Sequence, residues 1–167
     1  MEEQLQQAMR DHCEYCINKA YSFVNDWAAA EEIVQDVFLA YANNLKAYKG
    51  NASLKTYLVK ITRNKSIDYI RRQKELVLTD EDLNIPIQSI EKEAIVNEEK
   101  RLLFNTLSEL PNKYRDTLYY YYYENYNIPQ IASIVCESEN TIKTRLVRGR
   151  SKLKSILPDR NWEVLCS

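Results

Sequence analysis

The stretch from Glu137 to Lys154 reads ESENTIKTRLVRGRSKLK and predicts a helix with two unlike faces. Ser138 is suited to the N-cap position, where its hydroxyl accepts a hydrogen bond from a backbone N–H of the first turn. Small or apolar residues then recur at intervals of three and four, which indicates one buried face. These residues are Ile142, Leu146, Gly149 and Leu153.

The remainder of this helix is basic. Residues 143–154 hold six Lys or Arg and no acid. The face opposite the apolar seam carries Lys143, Thr144, Val147 and Arg148, and further cations flank it, namely Arg145, Arg150, Lys152 and Lys154. The positive charges can neutralise phosphates, and the remaining side chains can reach base edges, so the pattern favours DNA binding. The alternative is an ordinary helical hairpin whose basic face is solvated.

The segment before it, residues 127–135, predicts a short helix that Asn127 caps and that tolerates Pro129 in its first turn. Two such helices joined by a tight turn make a helix-turn-helix, whose second helix lies in the major groove. Many turns of this kind use Gly where this chain has Cys136. A Cys at that position is strained if the backbone requires positive φ.

Composition favours an all-helical protein. The 167 residues include only two Gly and four Pro, and this length suits one medium domain or two small ones. The net charge is −1, but its distribution is uneven. Residues 60–74 hold six Lys or Arg against one acid, whereas residues 75–99 hold eight acids against one Lys. Two basic segments around an acidic connector indicate two contact surfaces for one extended partner.

Helical periodicity also divides the rest of the chain. We expect helices over 2–25, 28–45, 53–72, 98–108 and 112–125, with a break at Pro111. The expected buried stripe of the first helix is Leu5, Met9, Cys13, Cys16, Ile17, Ala20, Tyr21 and Val24. In the second helix it is Ile33, Val34, Val37, Phe38, Tyr41 and Leu45, and in the third it is Leu54, Leu58, Ile61 and Ile67 or Ile70.

Two further surfaces are candidates for binding. The outer face of the second helix is acidic and carries Glu31, Glu32, Gln35 and Asp36, which dipole complementation and solubility would also explain. Tyr48 and Tyr57 lie beside basic and amide residues, an association that suits unstacked bases. Tyr57 could equally belong to the core.

The sequence indicates neither an enzyme nor a metalloprotein. It has no nucleophile–base pair and no glycine-rich phosphate loop, and we expect no cofactor. His12-Cys13-x-x-Cys16 lacks a second ligand pair at useful spacing, so we expect ordinary thiols there. Without a signal peptide or a long apolar run, we expect a cytoplasmic protein with reduced cysteines.

At three places the chain resembles the extracytoplasmic-function (group 4) sigma factors of bacterial RNA polymerase. Residues 31–38, EEIVQDVF, are similar to the segment of that family that binds core polymerase. Residues 50–72, from Gly50-x-x-Ser53-Leu54 through Asn64 to Arg71-Arg72, resemble the segments that melt and read the −10 element. Residues 110–150, from Leu110-Pro111 to Arg148-x-Arg150, resemble the module that reads the −35 element.

The resemblance implies a function and a role for each surface. An alternative sigma factor binds core polymerase and directs it to specific promoters. We expect two helical domains, sigma region 2 over 1–74 and sigma region 4 over 98–160, around an acidic linker at 75–97 and before a tail at 161–167. The implied polymerase-binding residues are Glu31, Glu32, Gln35 and Asp36. The implied −10 residues are Tyr48, Lys60, Arg63, Asn64, Lys65, Arg71 and Arg72, and the −35 residues are Thr141, Lys143, Thr144, Arg145, Val147, Arg148 and Arg150.

The implied partners are core RNA polymerase, through its β′ clamp helices and β flap, promoter DNA and an anti-sigma factor. Two other interpretations stay open. A stand-alone helix-turn-helix regulator would bind duplex DNA without polymerase, and an adaptor would bind another protein without DNA. Steep weakening of DNA binding with salt would favour a DNA reader over an adaptor.

Overall fold

The computed structural model describes residues 2–45, 48, 50, 52–74, 105–107 and 109–157, and all regular structure within them is helical. The chain divides into two units, Met1–Leu78 and Thr79–Ser167. The first unit contains α1 (Glu2–Val24), α2 (Trp27–Asn43) and α3 (Leu54–Lys74). The second contains α4 (Asn112–Leu118), a π-helical turn (Tyr119–Tyr123), α5 (Ile128–Val135) and α6 (Glu139–Ile156). The expected helix over 98–108 falls mostly outside the described residues. Within that range only 105–107 are described, and they are helical.

In the first unit, all three helices pack against one another. A tight turn joins α1 to α2: Asn25 takes a left-handed conformation, and the Asp26 side chain caps α2 by accepting from the Ala29 amide at 3.0 Å. Most of the predicted inner face of α2 is confirmed, because five of its six residues are buried: Ile33, Val34, Val37, Phe38 and Tyr41. The sixth, Leu45, lies beyond the end of the helix and is half-buried. The opposite face of α2 therefore remains available to solvent.

The core between α1 and α3 differs from the prediction. Met9 was expected in the buried stripe of α1, but its side chain is 42% exposed and Ala8 is buried instead. On α3, the small polar residues Thr56, Thr62 and Ser66 are fully buried. Small side chains let the two helices approach closely, and buried hydroxyls can bond within their own helix. The Thr62 hydroxyl does so, donating to the Leu58 carbonyl at 2.8 Å.

In the second unit, the predicted continuous helix over 112–125 is wrong in its second half. The α-helix ends at Leu118, and the run of five tyrosines forms a π-helical turn, closed by a Glu124 amide donating to the Tyr119 carbonyl. This wider turn changes where successive side chains point. Tyr119 and Tyr120 are buried, while Tyr121, Tyr122 and Tyr123 are half-buried.

The helix-turn-helix forms as predicted. A capping box starts α5, in which the Asn127 side chain accepts from the Gln130 amide and the Gln130 side chain accepts from the Asn127 amide. Cys136 ends α5 in the left-handed region, at φ 59° and ψ 42°. Ser138 then caps α6, accepting from the Thr141 amide at 3.1 Å. The turn therefore does require the conformation that favours glycine.

Cys136→Gly is expected to stabilise the second unit by about 0.5–1 kcal/mol, because glycine adopts positive φ without the steric cost of a Cβ, a gain partly offset by its greater unfolded-state entropy. Chemical denaturation would measure the free energy of unfolding. Cys136→Ser is the matched control, since it removes the thiol but keeps the Cβ. An equal gain in both variants would contradict the explanation from backbone strain.

Candidate nucleic-acid interface

The exposed face of α6 is held in place by its buried seam. Ile142, Leu146, Gly149 and Leu153 are all buried, as predicted. The seam packs tightly on α4, because a Cβ added to Gly149 would lie 3.0 Å from Leu118 Cδ1. The four predicted groove-facing residues are all exposed on the other side of the helix: Lys143, Thr144, Val147 and Arg148.

Val147 stands out within this face. It is apolar, yet 66% of its side chain is exposed between Lys143 and Arg148. An exposed valine contributes nothing to the core, but in a major groove it can contact the methyl group of thymine. The exposed face thus combines cations, which are able to bind phosphate or guanine, with an apolar side chain that can contact thymine.

Two predicted −35 residues lie against the turn of the helix-turn-helix. Arg145 Nη2 lies 2.6 Å from Glu137 Oε1, and the pair is partly buried. The Thr141 hydroxyl is 2.8 Å from the Ser138 hydroxyl. These contacts tie the start of α6 to the residues that precede it. The geometry therefore gives Arg145 and Thr141 a bracing role at the turn.

Arg150, another predicted −35 residue, is held by aromatic side chains that the sequence-based reasoning missed. Its Nε donates to the Tyr122 hydroxyl at 2.7 Å. Its guanidinium carbon also lies 5.2 Å from the Tyr121 ring centroid and 5.6 Å from that of Tyr122. The two partners are 28 or more residues away in sequence, so no local pattern could have indicated the contact.

The acidic face of α2 is on the first unit. Glu31, Glu32, Gln35 and Asp36 are all exposed, which brings the predicted polymerase-binding residues together on one helix. Leu39 continues this face one turn further and is 62% exposed. The sequence-based prediction placed Leu39 neither in the buried face of α2 nor in the acidic face, because a single exposed leucine carries no signal of its own. The face is therefore acidic with an apolar end.

The acidic face adjoins α3. Lys65 Nζ lies 3.4 Å from Asp36 Oδ2, so one predicted polymerase-binding residue pairs with one predicted −10 residue. A shallow cleft between the helices collects these two and their neighbours: Glu32, Ile33, Asp36, Lys65, Asp68, Tyr69 and Arg72. An ion pair this exposed contributes at most about 1 kcal/mol, so it can exchange partners at little cost.

The predicted −10 residues lie on and beside α3. Tyr48 packs against Tyr57, with ring centroids 5.0 Å apart, and both contact Tyr41. Tyr57 is half-buried, so it is neither wholly core nor freely exposed. Asn64 lies two turns after Tyr57 and hence on the same face of α3. The remaining members are half-buried or exposed: Lys60, Arg63 and Lys65 are half-buried, and Arg71 and Arg72 are exposed.

The Tyr48 hydroxyl is hydrogen-bonded and protonated. It donates to the Ala52 carbonyl, which closes the loop before α3. Desolvation, with smaller contributions from Tyr41 and Tyr57, raises the pKa of Tyr48 above its ordinary value. The hydroxyl is therefore neutral near pH 7, and its ring rather than its oxygen is the part that can stack on a base.

Of the two cysteines of α1, Cys16 has a thiol of low reactivity. Burial raises the pKa of the Cys16 thiol to about 11, and a hydrogen bond with Thr62 offsets only part of that rise. A protonated thiol is a poor nucleophile and a poor metal ligand.

Among the described residues, no three His, Cys, Asp or Glu side chains gather as a metal site would require. Over the same residues, none of the helices is both long and apolar enough to cross a membrane.

Two family models match the chain. One, described as Sigma-70 region 2, matches residues 9–75, which include α2 and α3. The other, described as Sigma-70, region 4, matches residues 100–153, which include the helix-turn-helix. The acidic face of α2 and the predicted −10 residues thus fall into the first region and the exposed face of α6 into the second, in the order that the resemblance implied.

Relatives cover most of the chain. It is 30% identical over 146 residues to the ECF RNA polymerase sigma factor SigM of Bacillus subtilis, a match that covers 84% of this chain and 89% of that protein. It is 33% identical over 148 residues to the probable RNA polymerase sigma factor RfaY of Xanthomonas campestris pv. campestris, which covers 84% of this chain and 37% of that protein.

The fold is also similar to a solved structure. The sigma factor RpoE, in a co-crystal structure with the anti-sigma factor NepR from Bartonella quintana, matches with a TM-score of 0.59 at 16% identity, covering 92% of this chain and 96% of that one. At this identity the likeness concerns the fold. Together with the match to SigM and the two regional matches, it leads to one conclusion. The chain belongs to the extracytoplasmic-function RNA polymerase sigma factors.

Proposed function

We propose that this sigma factor binds core RNA polymerase through the acidic face of α2 and reads promoter DNA through α3 and α6. The observation that carries the proposal is the exposed quartet Lys143, Thr144, Val147 and Arg148 on the second helix of a helix-turn-helix. Such a helix enters the major groove, and these side chains are long enough or apolar enough to contact base edges there.

At the −35 element, Lys143 and Arg148 hold phosphate or guanine, and Val147 contacts a thymine methyl. Arg145 and Arg150 stabilise the position of α6 and supply phosphate contacts from its flanks. The net charge of the whole chain is −1, so its own affinity for duplex DNA is modest. Polymerase therefore provides much of the stability of the productive complex.

At the −10 element, Tyr48, Tyr57 and Asn64 receive a base flipped out of the stack. Extruding a base costs a few kcal/mol, which contacts to that base must offset. An aromatic ring stacks on it, the Asn64 amide bonds to its edge, and nearby cations hold the strand. These cations are Lys60, Arg63, Lys65, Arg71 and Arg72, and Lys65 exchanges Asp36 for phosphate when DNA binds.

The partners are those that the resemblance to the family implies. The acidic face of α2 docks on the β′ clamp helices, and the second unit contacts the β flap. An anti-sigma factor covers the polymerase-binding surfaces until a signal releases it. The protein works in the cytoplasm, has no enzymatic activity of its own, and uses residues 75–97 as the linker between regions 1–74 and 98–160.

Asn64→Ala is expected to lower promoter-specific run-off transcription by about five- to tenfold, because the flipped −10 base loses a hydrogen-bonding partner. The measurement uses bacterial core polymerase and the promoter upstream of the gene for this protein. A template with the −10 region already melted should restore most of the activity, since base capture is then no longer limiting. No transcript from wild type, with tight binding to duplex DNA by the protein alone, would favour the stand-alone regulator.

A further inference from the structure

Arg150 occupies an unusual position on α6. It lies seven residues after Lys143 and three after Val147, so it continues the stripe of the exposed quartet along the helix. Unlike Lys143, however, it is half-buried, because Tyr121 and Tyr122 of the π-helical turn surround its guanidinium. The tyrosines therefore stand at the edge of the predicted DNA-binding face.

Only one of the three guanidinium nitrogens of Arg150 has a hydrogen-bond partner among the described residues. Its Nε donates to the Tyr122 hydroxyl at 2.7 Å, but neither terminal nitrogen has a hydrogen-bond partner within the part of the chain that the structure describes. No carboxylate pairs with Arg150 among those residues either. Arg145, on the same helix, illustrates the contrast, since it pairs with Glu137 at 2.6 Å.

A partly desolvated cation without an anion is costly, and the cost falls when an anion arrives. One edge of the guanidinium is fixed by Tyr122, which leaves the fork of terminal nitrogens for a second ligand. This fork matches the two oxygens of a phosphate. Holding the side chain in advance also reduces the rotamer entropy that binding would otherwise consume.

We propose that Tyr122 is a positioning residue that locks Arg150 so that its free edge binds a backbone phosphate of the −35 duplex. The proposal rests on the proposed function and deepens it, since it assigns a DNA-directed role to the tyrosine run outside the helix-turn-helix. Tyr121 supplies a ring beside the same guanidinium. Its hydroxyl has no hydrogen bond to Arg150.

Adjacent tyrosines provide a matched pair of variants. Tyr122→Phe removes the hydroxyl that holds Arg150 and keeps the ring, whereas Tyr121→Phe removes a neighbouring hydroxyl that does not. The assay is equilibrium binding of holoenzyme to a duplex selected from random-sequence DNA by the wild-type holoenzyme, over a salt series. We expect Tyr122→Phe to weaken binding about five- to tenfold and Tyr121→Phe to stay within about twofold of wild type.

The Arg150→Ala background separates positioning from a merely structural role. Arg150→Ala should reduce the salt slope by about one, as expected for one lost phosphate contact. In that background Tyr122→Phe should weaken binding no further, because the two side chains act as a unit. Equal weakening in both backgrounds, or equal effects of Tyr121→Phe and Tyr122→Phe, would overturn the proposal.

Arg148→Ala in the same assay separates the positioning role of Tyr122 from the proposal that α6 reads the −35 element. If Arg148→Ala weakens binding and Tyr122→Phe does not, the positioning role is wrong and the −35 assignment stands. If neither Arg148→Ala nor Arg150→Ala changes affinity or the salt slope, the −35 assignment of α6 is wrong, and the role of Tyr122 is wrong with it.

Discussion

Arg148→Ala is expected to reduce promoter-specific transcription by about ten- to a hundredfold. Arg148 belongs to the exposed quartet of α6, where it can form a bidentate contact with guanine or hold a phosphate. One such contact discriminates against a wrong base by about 1–3 kcal/mol, which corresponds to this range of rate when promoter binding is limiting. The fold should be unaffected, since the side chain lies outside the buried seam of α6.

The measurement is run-off transcription on a promoter with an intact −35 element and on one with that element scrambled. Wild type should distinguish the two strongly, and Arg148→Ala should not. Arg10→Ala is the charge-matched control, because Arg10 is an exposed cation on α1 and lies outside the predicted interfaces. If Arg10→Ala reduces transcription as much as Arg148→Ala does, the effect is one of net charge, and α6 does not read the −35 element.

Glu32→Lys is expected to weaken binding to core polymerase by at least about tenfold. Glu32 is exposed on the acidic face of α2, and a reversed charge facing a complementary surface costs several kcal/mol when the partner is basic. Glu32 also lines the surface cleft that contains the Asp36–Lys65 pair, so its side chain lies outside the core. The predicted loss therefore arises at the interface rather than in the core of the unit.

Binding would be measured with labelled protein titrated with core polymerase in the absence of DNA. Glu14→Lys is the control, because Glu14 is an exposed acid on α1 and is not among the predicted interface residues. A salt series adds a second readout, since loss of an electrostatic contact should flatten the dependence of affinity on ionic strength. Equal weakening by Glu14→Lys would place the polymerase contact elsewhere than on α2.

Much of the candidate site was predictable from local sequence. The cap at Ser138, the capping box of Asn127 and Gln130 and the buried seam of α6 all depend on residues three or four apart. Interactions at that spacing form within a single helix, so the sequence expresses them directly. The same holds for the exposed acidic face of α2. The boundaries of the linker at 75–97 and the roles of the individual site residues stay predictions.

Contacts across helices were not predictable in this way. Asp36 pairs with Lys65 from 29 residues away, and Arg150 meets Tyr122 from 28. Neither spacing has a periodic signature, because the packing of one element on another determines which side chains meet. The π-helical turn adds a further difficulty, since a run of identical tyrosines carries no pattern that tells buried rings from exposed ones.

The sequence alone determined the helical class of this protein, the helix-turn-helix and the buried faces of α2 and α6, because short-range periodicity and capping govern them. Tertiary structure alone decided that Met9 is exposed, that Thr56, Thr62 and Ser66 of α3 are fully buried, and that Arg150 is held by tyrosines. The physical reason is that burial depends on the surface that a neighbouring helix offers, and that surface comes from residues far away in the chain.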